Sequence, residues 1–238
     1  MSIPVKHNVQ SFNQDVCTHG MYLYADTRKF SCVVTNRRIT QEILRYLTPD
    51  IHTVIDAGCG DGTYTQVAAL AAPWITLTGF DPAEDAIRKA RASYPGIAFS
   101  VGNILEPETL PKEKFDAGIL RGVLHHLPVQ DQAIAHMRAL TDKLLLVEPN
   151  GNNPIVKIIE RLSPYHREHE EQSFTVKQLV RWCKDAGYAS IRVTHIGFVP
   201  CFCWEPLARV LYAMQPFLEK IPFVNTYLSA QIVLFCEA

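Results

Sequence analysis

The chain has 238 residues, 47% of them hydrophobic and 20% charged, enough for one large domain with a filled core and unlike a disordered, collagenous or coiled-coil sequence. Lysine plus arginine number 23 against 24 aspartate plus glutamate, and neither sign forms a long run, so no nucleic-acid partner is expected. The opening MSIPVKHNVQSFNQD is polar where a leader needs an apolar run, and no segment reaches membrane-spanning length, so the expected location is cytoplasmic with no integral membrane segment.

In chain order, Ile39, Ile43, Leu44 and Leu47 share one helical face that Thr35 or Asn36 is expected to cap, within a helical N-terminal lid over residues 1–48. A core over 49–150 follows. Thr53 to Ala57, Trp74 to Phe80, Ile97 to Val101, Phe115 to Leu120 and Lys143 to Glu148 are short apolar or β-branched runs, the pattern of parallel strands buried on both faces. Helical patterns alternate with them. Asp81 and Pro82 read as the cap and first turn of a helix carrying Ala86, Ile87 and Ala90, and Pro128 opens another.

Residues 151–174 begin with a helix opened by Pro154 behind Asn153, and 175–238 make the C-terminal half. There Thr175 and Gln178 fit a capping box, Leu179, Val180 and Cys183 supply an apolar stripe, and Gly187 stands at a helix C-terminus. Strands expected over Ala189 to Phe198 and Gln231 to Cys236 bracket an inserted helix over 201–224, in which Leu207, Val210, Leu211, Met214, Leu218 and Ile221 recur at helical spacing and Pro216 predicts a kink. Strand and helix in alternation predict a single doubly wound α/β domain whose ligands lie beyond the carboxyl ends of the strands.

Seven cysteines, at 17, 32, 59, 183, 201, 203 and 236, include no C-x-x-C pair, which predicts reduced, mostly buried thiols. Cys201 and Cys203 lack a histidine partner, so no metal is expected.

The chemistry concentrates in Val54 to Thr63, VIDAGCGDGT, which leaves the first strand and enters a helix. Its glycines let backbone approach a ligand where a helix N-terminus offers N–H groups, so a nucleotide-like cofactor is expected here. The dinucleotide pattern G-x-G-x-x-G fails in both registers, ending on Thr63 or on Thr65, which argues against an NAD-dependent oxidoreductase. What stands instead, D-x-G-x-G-x-G from Asp56 to Gly62, resembles motif I of the class I S-adenosylmethionine-dependent methyltransferases. GFDPAEDAI, VGNIL and FDAGILRGVLHHL extend that resemblance in the right order over residues 50 to 150.

The resemblance implies a seven-stranded Rossmann-like methyltransferase sheet with its last strand antiparallel, and S-adenosyl-L-methionine as cofactor. It places Asp56, Ala57, Gly58, Cys59, Gly60 and Gly62 in the cofactor turn. Asp56 orders the turn or accepts from the cofactor's ammonium group, and without a partner its burial would be costly. Asp81, followed by Pro82, accepts from the ribose diol. Asn103 and Ile104 stand where the family holds the adenine, with a plain turn as the alternative for Asn103. Arg121 has two readings, the cofactor's amino-acid end or a surface acid, and Tyr24 is chosen as a lid contact.

Methyl transfer from a sulfonium asks mainly for alignment and exclusion of water, and a hydroxyl acceptor adds a need for a base. His125 and His126 follow the fourth strand, where packing is favoured over catalysis. The cluster from Tyr165 to Glu171, in the 151–174 segment that the resemblance makes an acceptor-side cap, offers His166, His169 and Glu170 on one helical face, suited to a base, an acceptor anchor or a metal, against the alternative of a solvated charged face. Glu148, Asn150 and Asn153 mark the ligand end of the fifth strand. The aromatic insertion has three readings: a wall for an apolar acceptor, a homodimer interface, or a helix lying on the core. Its polar face carries Arg209, Glu219 and Lys220 but no basic stripe, which disfavours a membrane surface. The expected activity is methyl transfer from S-adenosylmethionine to a small apolar or aromatic molecule, on oxygen by preference. Nitrogen or carbon acceptors, or a silent cofactor-binding module, are the alternatives.

Overall fold

A computed structural model describes residues 26–162 and 172–238, together with Val9, Asn13, Thr18 and Tyr24. His166 and His169 lie outside the described residues.

Seven strands make one sheet in the order β3-β2-β1-β4-β5-β7-β6. The strands are β1 (Thr53–Ala57), β2 (Thr76–Asp81), β3 (Ala98–Val101), β4 (Ala117–Arg121), β5 (Lys143–Pro149), β6 (Ser190–Ile196) and β7 (Gln231–Glu237). The first five pair in parallel, and β7 runs antiparallel between β5 and β6. All seven fall on the expected runs. Alternate strand residues feed opposite faces, as the pleat requires. Ile55, Leu120, Leu144 and Leu234 enter a core with Ile134 and Met137 of helix α4 (Gln130–Leu140) and Leu179 of α6 (Val176–Asp185). Val54, Ile119, Leu145 and Val233 enter another, with Ile39 and Ile43 of α1 (Phe30–Leu44) and Ala68 of α2 (Thr63–Ala71).

The strand order reverses at β1, whose neighbours are β2 and β4, so a crevice opens beyond the carboxyl ends of β1 and β4. The turn after β1 and the turn after β4 face it.

Helix starts depart most from expectation. Helix α1 begins at Phe30, so Thr35 and Asn36 lie in its second turn and act as tertiary ties: the Thr35 hydroxyl donates to the Val199 carbonyl, and Asn36 reaches the crevice. Helix α3 (Glu84–Ser93) is capped by Ala83, not Asp81, because both Asp81 oxygens are occupied by amides at the strand end. Helix α4 begins two residues after Pro128. The capping box of α6 forms with both of its hydrogen bonds, and Gly187 beyond that helix takes φ +94°, which favours glycine. Helix α5 (Pro154–Leu162) opens with Asn153 Oδ1 accepting from the Ile155 N–H at 2.9 Å. The insertion is two helices, α7 (Glu205–Leu218) and α8 (Pro222–Leu228). Helix α7 runs on through Pro216, which lies in its final turn and supplies no N–H to the Tyr212 carbonyl one turn back.

Candidate active site

The turn after β1 bends through three glycines at positive φ: Gly58 at +74°, Gly60 at +56° and Gly62 at +76°. Steric crowding enforces two of them. A Cβ on Gly58 would fall 2.4 Å from Val123 Cγ2 in the turn after β4, and one on Gly62 would fall 2.7 Å from Phe99 Cζ. The two turns that flank the crevice are thus in direct contact.

The amides of this turn are already spoken for, contrary to the expectation of free N–H donors. Gly58 and Cys59 donate to the Phe80 carbonyl at 2.8 and 3.1 Å, Gly60 to Asp81 Oδ2 at 2.9 Å, Gly62 to the Cys59 carbonyl at 3.1 Å, and Thr63 to Asp61 Oδ1 at 3.2 Å. The turn offers a bare surface for close approach, held rigid by β2.

Asp81 is the hub of that arrangement. Its Oδ1 accepts from the Ala83 N–H at 2.9 Å while Oδ2 holds Gly60, which leaves each oxygen a second lone pair. Burial lifts its pKa to about 6 against the lowering effect of these two amides, and the nearby Asp56 and Asp61 charges raise it further. Asp56, at the end of β1, accepts from the Thr65 hydroxyl at 2.6 Å, so its burial is compensated by a partner from α2. Burial raises its pKa, and the Thr65 bond and the Arg121 charge oppose the rise. Cys59 packs beside Ile87, Ala90 and Phe99, and burial pushes its thiol well up. Ala57 is fully buried under the turn.

Arg121, at the end of β4, pairs with no acid among the described residues. Its guanidinium donates to Asn36 Oδ1 at 2.7 Å and Thr40 Oγ1 at 3.2 Å, both on α1, and stacks 3.9 Å from the Tyr64 ring centroid. Burial lowers its pKa, and the Tyr64 and Asp56 groups oppose that. Asn36 Nδ2 in turn donates to the Tyr24 carbonyl at 2.8 Å, and the Tyr64 hydroxyl to the same oxygen at 3.4 Å. Tyr24 is thereby fastened at the mouth of the crevice. Asn36, Thr40, Tyr64 and Thr65 carry this network, and the sequence singled out none of them for the site. Their available signal was Asn36 and Thr40, polar residues one helical turn apart beside the apolar Ile39 and Ile43.

Asn103 forms its own turn: Oδ1 accepts from the Leu105 N–H at 3.0 Å and Nδ2 donates to Glu106 Oε1 at 3.0 Å. Ile104 is buried in the core, and Pro82 is half-buried between Asp81 and the cap of α3.

The turn after β4 hangs on Glu148 of β5. This fully buried carboxylate accepts from the N–H groups of Val123, Leu124 and His125 at 3.1, 2.8 and 3.3 Å and binds His125 Nδ1 at 2.7 Å. His125 is a positioning residue in that lock. The His126 ring packs against the His125 ring, with centroids 3.9 Å apart, and is half-buried.

An adenosyl sulfonium suits these groups. The turn carries no side chain at 58, 60 and 62, a carboxylate with spare lone pairs stands beside it, and the wall beyond is formed by polar side chains of α1.

A family profile described as "Methyltransferase domain" matches residues 47–187. The trans-aconitate 2-methyltransferase of Methylobacterium nodulans is 32% identical over 75 residues, 31% of this chain and 29% of that protein. Matches to curated relatives span less than half of those proteins' lengths. Among solved structures, an S-adenosylmethionine-dependent methyltransferase from Archaeoglobus fulgidus superposes with a TM-score of 0.63 at 14% identity, covering 90% of this chain and 97% of that one. Magnesium protoporphyrin IX methyltransferase from Synechocystis, solved with bound S-adenosylhomocysteine, gives 0.59 at 17% identity, covering 87% and 85%. These likenesses establish a shared fold. The profile covers more than half of the sequence, and the chain belongs to the methyltransferase domain family.

Proposed function

We propose that the protein transfers a methyl group from S-adenosylmethionine to a small apolar or aromatic molecule, with oxygen as the acceptor atom. The observation that carries the reading is the Asp81 carboxylate, fixed by the Gly60 and Ala83 amides at the lip of the glycine turn. S-adenosylmethionine, when bound, supplies an electrophilic methyl group on a sulfur that leaves neutral.

Asp81 takes the ribose hydroxyls on its remaining lone pairs, and the Gly58 to Gly62 turn allows the contact to be close. Arg121 holds α1 and Tyr24 over the crevice, where they exclude water from the reacting centre. Glu148 fixes the turn after β4 through three amides and His125, and so sets the position of His126. His126 is the base among the described residues, taking the acceptor's proton as the new bond forms. His166 and His169 keep the roles read from the sequence, as base or acceptor anchor.

Titration calorimetry with S-adenosylmethionine and S-adenosylhomocysteine tests the first half, and an absence of binding would remove it. Supplying a labelled methyl donor to a panel of phenolic, carboxylic and amine acceptors tests the second. Transfer to phenols that His126→Ala slows without loss of cofactor affinity is the expected result.

A further inference from the structure

The first two turns of α1 rest on the segment that links β6 to α7. The Ser31 hydroxyl donates to the Cys201 carbonyl at 2.6 Å, the Cys32 thiol to the same carbonyl at 3.2 Å, and the Thr35 hydroxyl to the Val199 carbonyl. On the same helix, Asn36 and Thr40 take the Arg121 guanidinium at the crevice. Helix α1 is thus fastened to the chain before α7 and to the crevice wall at once. Each tie to the 199–201 segment is a hydrogen bond that water can replace.

Two sulfurs meet at that junction. A side-chain hydrogen bond joins the Cys32 and Cys201 thiols; it holds Cys32 below the ordinary thiol value, helped by the Lys29 charge, and with burial it pushes Cys201 well above. Cys32 is buried and Cys201 half-buried, so the side of Cys201 is the one open to a water-sized oxidant.

The other described thiols are placed differently. Cys183 and Cys236 also share a hydrogen bond, but both are fully buried in the core between α6 and β7. Cys203 donates to the carbonyl of its neighbour Trp204 at 3.6 Å, and Cys59 is packed within the glycine turn.

We propose that Cys32 and Cys201 form a redox latch: hydrogen peroxide joins them in a disulfide that welds α1 to the 199–201 segment and so fixes a wall of the crevice. Peroxide takes up both electrons. The Cys201 sulfur attacks one peroxide oxygen, the O–O bond breaks, and the departing oxygen leaves as water with the thiol proton, which gives a sulfenic acid. The Cys32 sulfur then displaces the sulfenic oxygen, which takes the Cys32 proton and leaves as a second water while the S–S bond forms. The lowered pKa of Cys32 suits the second step, and the raised pKa of Cys201 slows the first, so the latch answers sustained exposure to oxidant. Its effect on a bound ligand rests on the methyl-transfer reading, whereas the bond does not.

Peptide mapping of the whole chain after peroxide treatment and thiol blocking tests the bond. Tryptic peptides 30–37 and 193–209 should be recovered joined, at the sum of their masses less two hydrogen atoms, and Cys203→Ser should leave the join intact. The denaturation midpoint of the oxidised protein should rise and fall back with dithiothreitol, because the bond ties residues 169 apart in sequence. Release of S-adenosylhomocysteine, followed by stopped flow, should slow at least about fivefold on oxidation and recover with reductant. Cys201→Ser should release it at the reduced wild-type rate with or without peroxide. Wild-type protein that yields no joined peptide overturns the latch whether or not a variant folds. A bond from Cys201 to Cys203 or to a third thiol also overturns it, as does a join that leaves midpoint and release unchanged. Reduced protein that does not bind S-adenosylhomocysteine removes methyl transfer and leaves the latch to be read by mapping and midpoint.

Discussion

The Arg121 guanidinium lies 3.9 Å from the centroid of the Tyr64 ring, so a cation from the end of β4 covers an aromatic face from the first helix after β1. The same group donates to Asn36 and Thr40, and these contacts close three elements over the crevice. Arg121→Lys keeps the charge but loses the planar fork and the stack. We expect a loss of about 1–3 kcal/mol in stability, read from denaturant midpoints, together with weaker cofactor binding. An unchanged midpoint would remove the clamp.

Asp81→Ala removes the acceptor for the ribose and the partner of the Gly60 amide. Cofactor affinity should fall by ~1–3 kcal/mol, about five- to 150-fold, measured by calorimetry. Equal affinity in the variant would refute the ribose role.

The same residue predicts two opposite pH dependences. Its folded pKa of about 6 lies above the ordinary 3.8, so the folded chain holds the proton more tightly than the unfolded one. Its contribution to the stability of the unliganded protein is therefore greatest below the ordinary value, declines as pH rises through the interval up to about 6, and is constant above. Cofactor affinity should run the other way, rising across that interval as the carboxylate becomes a full acceptor. Denaturation and titration series on either side of the interval check both, with Asp81→Asn expected to flatten each.

Glu148→Gln places an amide N–H₂ where three backbone donors converge. At a fully buried position this should cost ~2–4 kcal/mol. Thermal unfolding measures the loss. His125→Ala should cost less, since the three amide bonds survive, and a larger loss than for Glu148→Gln would reverse the order of importance.

Gly58→Ala puts a methyl group 2.4 Å from Val123 Cγ2 on backbone at φ +74°. We expect a destabilisation of about 1–3 kcal/mol, split between backbone strain and the clash. Adding Val123→Ala relieves the clash and leaves the strain, so the double variant should be more stable than the sum of the single changes predicts. Simple additivity would show that the two turns do not press on each other.

Much of the strand pattern was legible because β1, β4 and β5 are buried on both faces and read as largely apolar runs. The glycine turn was legible for a different reason: its register is a local property of Asp56 to Gly62. Helix starts were less so, since Thr35, Asn36 and Asp81 are good caps by composition but spend their polar atoms on partners distant in sequence. The Arg121 network escaped for the same cause, because nothing near residue 121 announces Asn36 or Tyr64. Asn103 shows the converse: its amide is consumed by neighbours within three residues, which the turn reading had allowed.

The placement of β7 between β5 and β6 has a consequence for biosynthesis. As the polypeptide leaves the ribosome, β6 emerges well before the strand it must pair with, and α7 and α8 emerge between the two. The five parallel strands can assemble during translation, but β6 has no docking edge until β7 threads into its slot. Nascent chains arrested before residue 231 should therefore carry β6 unpaired, its edges open to chaperones and proteases.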